Sequence, residues 1–179
     1  MRGLQLAEVG AGDAAAHLRP TSDRVREAVF NLLINGRHGD LVRDQRVLDL
    51  FAGTGALGLE ALSRGAVQVT FVDDGAASRA LIRANIEKAR AMGTTRLFRR
   101  DATALGENRG AGAGLVFLDP PYGLGLGLPA LRSAQAGGWL APGATIVWEE
   151  NTSQIAPEGF FLLDQRRYGD TWVTLLRAP

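Results

Sequence analysis

A doubly wound α/β sheet is the fold predicted for this chain, and three observations predict it. Beyond residue 46, short apolar runs rich in β-branched and aromatic residues alternate with helix-compatible stretches. The first run passes directly into a glycine-rich turn, and the second ends in the acidic residue Asp73. The fourth delivers Asp119-Pro120-Pro121-Tyr122, a rigid polar loop, to the place where open α/β sheets bind ligands.

The elements follow in order. Asp23–Ile34 sets Val25, Val29, Leu32 and Leu33 on one helical face, with Thr21, Ser22 or Asp23 as N-cap after Pro20. Val47–Phe51, Val69–Asp73, Arg96–Arg99, Leu115–Leu118 and Ala144–Trp148 read as strands, four of them apolar enough for burial on both faces. Leu57–Arg64, Ala76–Met92 and a stretch near Gly127–Ala136 have the composition of crossover helices. The Ala/Gly-rich link after Asp101 leaves room only for a short helix. Gly159–Arg167 and Thr171–Arg177 form a predicted antiparallel hairpin at one sheet edge, turning at Tyr168-Gly169-Asp170.

Composition bounds the function. With 179 residues, 46% of them hydrophobic, the chain suits one domain with a sizeable core. We expect a single unit over residues 1–179, with 1–40 as an N-terminal extension and helix and 46–179 as the sheet core. The absence of cysteine excludes disulfide scaffolds, thiolate nucleophiles and cysteine-ligated metals. His17 and His38 read as loop residues, and no metal site is expected. The longest uncharged run, Ser133–Trp148, is interrupted by glycine and proline and is shorter than the ~20 residues of a spanning helix. Glu8 and Asp13 interrupt the N-terminus where a signal peptide needs an apolar stretch. A cytoplasmic, monomeric protein without a membrane partner is the expectation.

The turn after the first strand, Ala52-Gly53-Thr54-Gly55-Ala56-Leu57-Gly58, satisfies G-x-G-x-x-G, and Asp73 lies 20 residues beyond Gly53. Glycines let backbone approach a ligand, and a carboxylate at the second strand end accepts hydrogen bonds from ribose hydroxyls. A nucleoside-containing cofactor is therefore expected. Asp49 sits four residues before Gly53, where it can meet a positive group such as an amino-acid ammonium. S-adenosylmethionine carries that ammonium and NAD does not, which favours a methyl donor over a hydride carrier. A buried Asp49 bonded to backbone amides is the other arrangement its position allows.

The tetrapeptide suits one chemistry. Its two prolines fix φ and restrict the residues before them. The Tyr122 ring can stack on a flat base, while the Asp119 carboxylate and the Pro120 carbonyl can hold an exocyclic amine. A base-conjugated amine is a poor nucleophile until hydrogen bonds orient it. Holding its nitrogen in line with a methyl group, with acceptors where positive charge develops, lowers the barrier.

Charge is unevenly distributed. Between Arg79 and Arg100 lie seven basic residues against one acidic, Glu87, and Arg19, Arg24 and Arg26 form a second basic group. A solvated helix face and a phosphate-contacting surface both fit such a distribution.

Several segments together resemble one family. They are LRPTSDRVREAVFNLL (Leu18–Leu33), VLDLFAGTGALGLEALSRGA (Val47–Ala66), Asp73, Asp101-Ala102, FLDPPY (Phe117–Tyr122) and the C-terminal RRYGDTWVTLL. The family is RsmD, bacterial small-subunit ribosomal RNA guanine-N2 methyltransferases that use S-adenosylmethionine. The resemblance implies a Rossmann-like class I methyltransferase fold, a mostly parallel seven-stranded sheet with its last strand antiparallel.

It also implies roles for particular residues. Asp49, Phe51 and the turn Ala52, Gly53, Thr54 and Gly55 would line the methionine end of the donor. Asp73 would hold the ribose, and Asp101 with Ala102 would face the adenine. Asp119, Pro120, Pro121 and Tyr122 would clamp the target amine. Arg19, Thr21, Arg24 and Arg26 would lie over the mouth, facing ribosomal RNA or a small-subunit particle, or ordering the N-terminal helix. Apart from the resemblance, the basic stretch itself makes Arg83, Arg99 and Arg100 expected RNA contacts. Adenine-N6 methylation of DNA, or a non-catalytic RNA-binding module, are the competing readings of the same motifs.

Overall fold

The computed structural model describes residues 5–7 and 22–179. Seven strands form one sheet in the order β3-β2-β1-β4-β5-β7-β6. The parallel strands are β1 (Arg46–Leu50), β2 (Gln68–Val72), β3 (Thr95–Phe98), β4 (Ala113–Leu118) and β5 (Leu140–Glu150). The remaining two, β6 (Phe161–Tyr168) and β7 (Thr171–Arg177), are joined as an antiparallel hairpin. β7 enters the sheet antiparallel to β5, so β6 takes the edge.

Alternation along the strands explains the layers. Val47, Val69, Phe71, Leu115, Phe117 and Val147 face α1 (Asp23–Asn35), α2 (Ala56–Ser63) and α3 (Ala76–Lys88). The intervening Leu48, Leu50, Val116, Leu118 and Ile146 pack on the other side against α4 (Gly127–Ala136). Burial on both faces is what the near-continuous apolar runs of β1 and β4 require. Strand order reverses between β1 and β4: chain moving outward through β2 and β3 returns to β4 on the far side of β1. That reversal opens a crevice beyond the carboxyl ends of β1 and β4.

Most predicted elements recur with shifted ends. α1 begins after Ser22, whose hydroxyl caps the amide of Val25 at 3.3 Å, so Ser22 is the cap among the three residues proposed. α3 stops at Lys88, short of the expected Met92, because Arg90 turns left-handed at φ +53° and a short 3₁₀ turn follows at Met92–Thr94. β5 starts at Leu140 rather than Ala144, because Leu140 pairs with Ala113 ahead of an irregularity that resumes at Leu115 and Thr145. Tyr168 pairs with Thr171, leaving Gly169-Asp170 as a two-residue turn with Gly169 at φ +60°. The link after Asp101 carries only the 3₁₀ turn Ala102–Ala104, as its composition predicts.

The short segment Gln5–Ala7 lies along α3. Buried Asn85 donates to the carbonyl of Ala7 and accepts from its amide, and it also donates to Thr54 at 2.9 Å. One side chain thereby ties the N-terminal segment to the glycine turn.

Candidate active site

The crevice is built by backbone turns that leave β1, β2, β4 and β5. At the end of β1 the chain reverses through Phe51 (φ +57°), Gly53 (φ +59°) and Gly55 (φ +78°). Left-handed φ is ordinary for glycine, but in Phe51 it costs about 1–2 kcal/mol, strain placed at the mouth of the site. Gly58 has no room for a side chain, since a Cβ there would lie 2.5 Å from the Phe71 ring. The third glycine of the motif is therefore a packing requirement between α2 and β2.

Asp73 anchors this turn. One carboxylate oxygen accepts from the Gly53 amide and the other from the Gly75 amide, both at 2.9 Å. The Ser78 side chain bonds the same carboxylate, and the rest of its about four lone-pair positions stays open to ligand hydroxyls. Asp49 is almost fully buried and accepts from the Gly58 amide at 3.0 Å. Of the two arrangements open from sequence, the amide-bonded one is present in the free protein, with further lone pairs available on the same carboxylate.

The tetrapeptide follows β4 directly. Asp119 is half-buried, Pro120 buried, and Pro121 and Tyr122 half-buried. Tyr122 is tied to the hairpin through its hydroxyl, 3.2 Å from Thr171 Oγ1, and burial pushes that hydroxyl up to about 12. Its ring is thus held rigidly by β7 rather than by its own loop. Glu150 closes the loop from below, accepting from the amides of Gly123 and Asn151 at 3.1 and 2.9 Å. Beyond the end of β3, exposed Asp101 accepts from the amide and hydroxyl of Thr103, and Ala102 is buried.

Glu149 is the residue that the motifs did not single out. It is 1% exposed, and neither carboxylate oxygen has a hydrogen-bond partner. The signal available in sequence was a charged pair, Glu149-Glu150, ending an otherwise apolar strand at its carboxyl end.

Asp49, Asp73, Asp119 and Glu149 come together at adjacent strand ends, a crevice lined by carboxyl groups. This donor set fits a ligand that carries an ammonium and a ribose, and it disfavours one whose only charges are phosphates. Over residues 3–177 the chain matches the family described as Conserved hypothetical protein 95. It is 40% identical to the ribosomal RNA small subunit methyltransferase D of Escherichia coli K12, covering 78% of this chain and 68% of that protein. The chain belongs to the RsmD family.

Other RsmD-family comparisons agree. The protein of the same name from Haemophilus influenzae is 34% identical over 85% of this chain and 79% of its own. The solved structure of the putative methyltransferase yhhF from Escherichia coli matches with a TM-score of 0.77 and 34% identity, covering 90% and 88% of the two chains. A putative methyltransferase complexed with SAH, SMU.776, shares the fold at a TM-score of 0.65 and 20% identity. The expected Rossmann-like class I fold, with its antiparallel strand beside β5, is the fold found.

The arginines of this RsmD-family chain divide into two sets. Arg79 is buried, its guanidinium holding the carbonyls of Asp73 and Asp74. Arg100 bonds the carbonyl of Leu105 and lies over the Phe98 and Trp139 rings at 5.2 and 5.5 Å. Both act within the fold. Arg24, Arg83 and Arg99 are exposed, and Arg26 pairs with Asp23 at 2.8 Å. Arg19, Thr21 and His17 lie outside the described residues.

The acidic crevice makes the free protein pH-sensitive. Burial raises the carboxyl groups of Asp49, Asp73 and Glu149 above their ordinary values, and Asp119 adds to the shift of Asp49 and Glu149. Groups raised in this way favour folding fully below the unfolded-state values near about 4, and that contribution is lost as pH rises through the folded ones. Replacing Glu149 by Gln is therefore expected to raise the melting midpoint of the free protein at pH 8, with the gain shrinking toward pH 4. A midpoint that is unchanged or lower at pH 8 would contradict it.

Proposed function

We propose that this chain transfers a methyl group from S-adenosylmethionine to the exocyclic 2-amino group of a guanine in small-subunit ribosomal RNA. The observation that carries the reading is the Asp119–Tyr122 loop, held rigid at the crevice beside a glycine turn and Asp73. Family membership and the relatives named as ribosomal RNA methyltransferases support the choice of substrate.

Each residue then has a task. Asp49 and the turn from Phe51 to Gly55 cradle the methionine end of the donor, and the remaining lone pairs of Asp73 accept from its ribose. Asp101 and Ala102 border the adenine. When bound, the donor supplies an electrophilic methyl group on a positively charged sulfur. Asp119 and the Pro120 carbonyl accept the two amine hydrogens and so aim the nitrogen lone pair, while Tyr122 stacks on the base. A base in a stack has to swing out to reach that ring. As the amine acquires positive charge its proton becomes acidic, and Asp119 already faces it as acceptor.

Methylation of small-subunit particles that lack the mark, with labelled donor, tests the reading. Label is expected in ribosomal RNA as 2-methylguanosine, and label confined to DNA or protein would overturn it. Exposed Arg24, Arg83 and Arg99 are proposed phosphate contacts, so replacing any one with Ala should lower the salt slope of RNA binding by about 1. Arg100→Ala should instead reduce thermal stability and leave the slope in place. Equal slopes for all four variants and the wild type would return these side chains to a solvated surface.

A further inference from the structure

We propose that Glu149 is a specificity-determining residue, accepting the ring N1–H of the guanine whose 2-amino group is held by Asp119 and Pro120. The inference rests on the guanine-N2 reading above and extends it to a group outside the methyltransferase motifs.

Placement is the first argument. Trp148 of β5 pairs with Leu118 of β4, so the next residues along these parallel strands are Glu149 and Asp119, side by side. Strand alternation puts Glu149 on the face of Val147, the same face as Val47 and Asp49. Its partner across the other edge of β5 is Val173, which is apolar. The charged and titratable groups around it are Asp119 and Asp49, with Tyr122 close enough to feel its charge. Among the described residues, no cation contributes to its electrostatics.

The second argument is the unmade bonding. Buried polar atoms are almost always hydrogen-bonded, and leaving one unsatisfied costs about 1–3 kcal/mol, more for a charged group. Glu149 leaves both oxygens unsatisfied at 1% exposure. A carboxyl group in that state, one residue-width from the amine clamp, is a preformed acceptor for a donor that arrives with the substrate.

Guanine brings that donor. Its 2-amino group sits beside a ring N1–H, so the edge entering the clamp carries three hydrogens. Asp119 and the Pro120 carbonyl take the two on the amine, and Glu149 takes the third. Adenine and 2-aminopurine present a lone pair at N1, which Glu149 can meet only by first taking up a proton, so the preference for guanine should grow with rising pH. Rejection by an unsatisfied buried polar group is far stronger than rejection by shape.

The experiment compares guanine with 2-aminopurine at the mapped target position in reconstituted small-subunit particles. The base 2-aminopurine keeps the 2-amino nucleophile and loses the N1–H. Single-turnover transfer by the wild type should favour guanine by at least about 10-fold. Glu149→Gln presents an acceptor or a donor by turning its amide, so the preference should fall below about 3-fold. Donor affinity, measured by calorimetry, should be the same in both proteins. A Glu149→Gln enzyme that slows on both bases and keeps the wild-type ratio would overturn the proposal, as would a wild type indifferent to the two bases. Failure of the wild type to methylate guanine would overturn the parent reading instead.

Discussion

Replacing Asp119 by Ala should lower the rate of methyl transfer by about 100- to 1,000-fold or more while leaving donor affinity within a few-fold. The amine nitrogen of guanine is conjugated with the ring, so its lone pair becomes available only when its hydrogens are held out of line. In the proposed clamp Asp119 is the carboxylate half of that hold, and the Pro120 carbonyl alone would not replace it. The turn proposed to cradle the donor is held by bonds from Asp73, Asp49 and Asn85. The effect should therefore fall on kcat, with little change in the calorimetric dissociation constant for the donor. Transfer at the wild-type rate would remove Asp119 from the clamp. A parallel collapse of donor affinity would show that it belongs to the cofactor site.

Asp73→Ala should have the complementary effect, weakening donor binding by about 100-fold, roughly one strong hydrogen bond to a charged group. The same carboxylate holds the Gly53 and Gly75 amides in the free protein, so its loss also releases both turns. A lower melting midpoint without ligand should accompany the lost affinity. Asn is not a rescue here. One end of its side chain would present N–H to a backbone N–H, so Asp73→Asn should resemble Ala in calorimetry. Unchanged affinity in either variant would separate Asp73 from the donor.

Glu149 links stability to selectivity. Negative charge on buried Glu149, beside Asp119 and Asp49, opposes folding, and an amide in its place is expected to stabilise the protein at pH 8 while blunting its choice of base. Such opposition is common where a site must keep an unmet bonding group ready for its ligand.

Much of this was legible before any coordinates. Apolar periodicity, β-branched runs and glycine placement located the strands and long helices of the described residues, because those signals arise from local geometry and from burial on one or two faces. The Asp119–Tyr122 loop and the glycine turn were legible because their chemistry is carried by neighbouring residues. Element ends were less so: Arg90 closing α3 and the early start of β5 depend on contacts made after folding. The basic stretch from Arg79 to Arg100 looked uniform, yet Arg79 and Arg100 bind backbone carbonyls while Arg83 and Arg99 face solvent.

What the amino-acid sequence determined alone was the order of the elements, the membership of the family and the chemistry presented at two loops. The tertiary structure alone decided which carboxylates share one crevice, that Asp49 bonds a helix amide, and that Glu149 lies beside Asp119 with its oxygens unmet. The reason is physical: local pattern dictates what a segment becomes, whereas burial and hydrogen bonding of a charged side chain depend on neighbours that are distant along the chain. Asp49, Asp119 and Glu149 become neighbours only when β1, β4 and β5 align in the sheet.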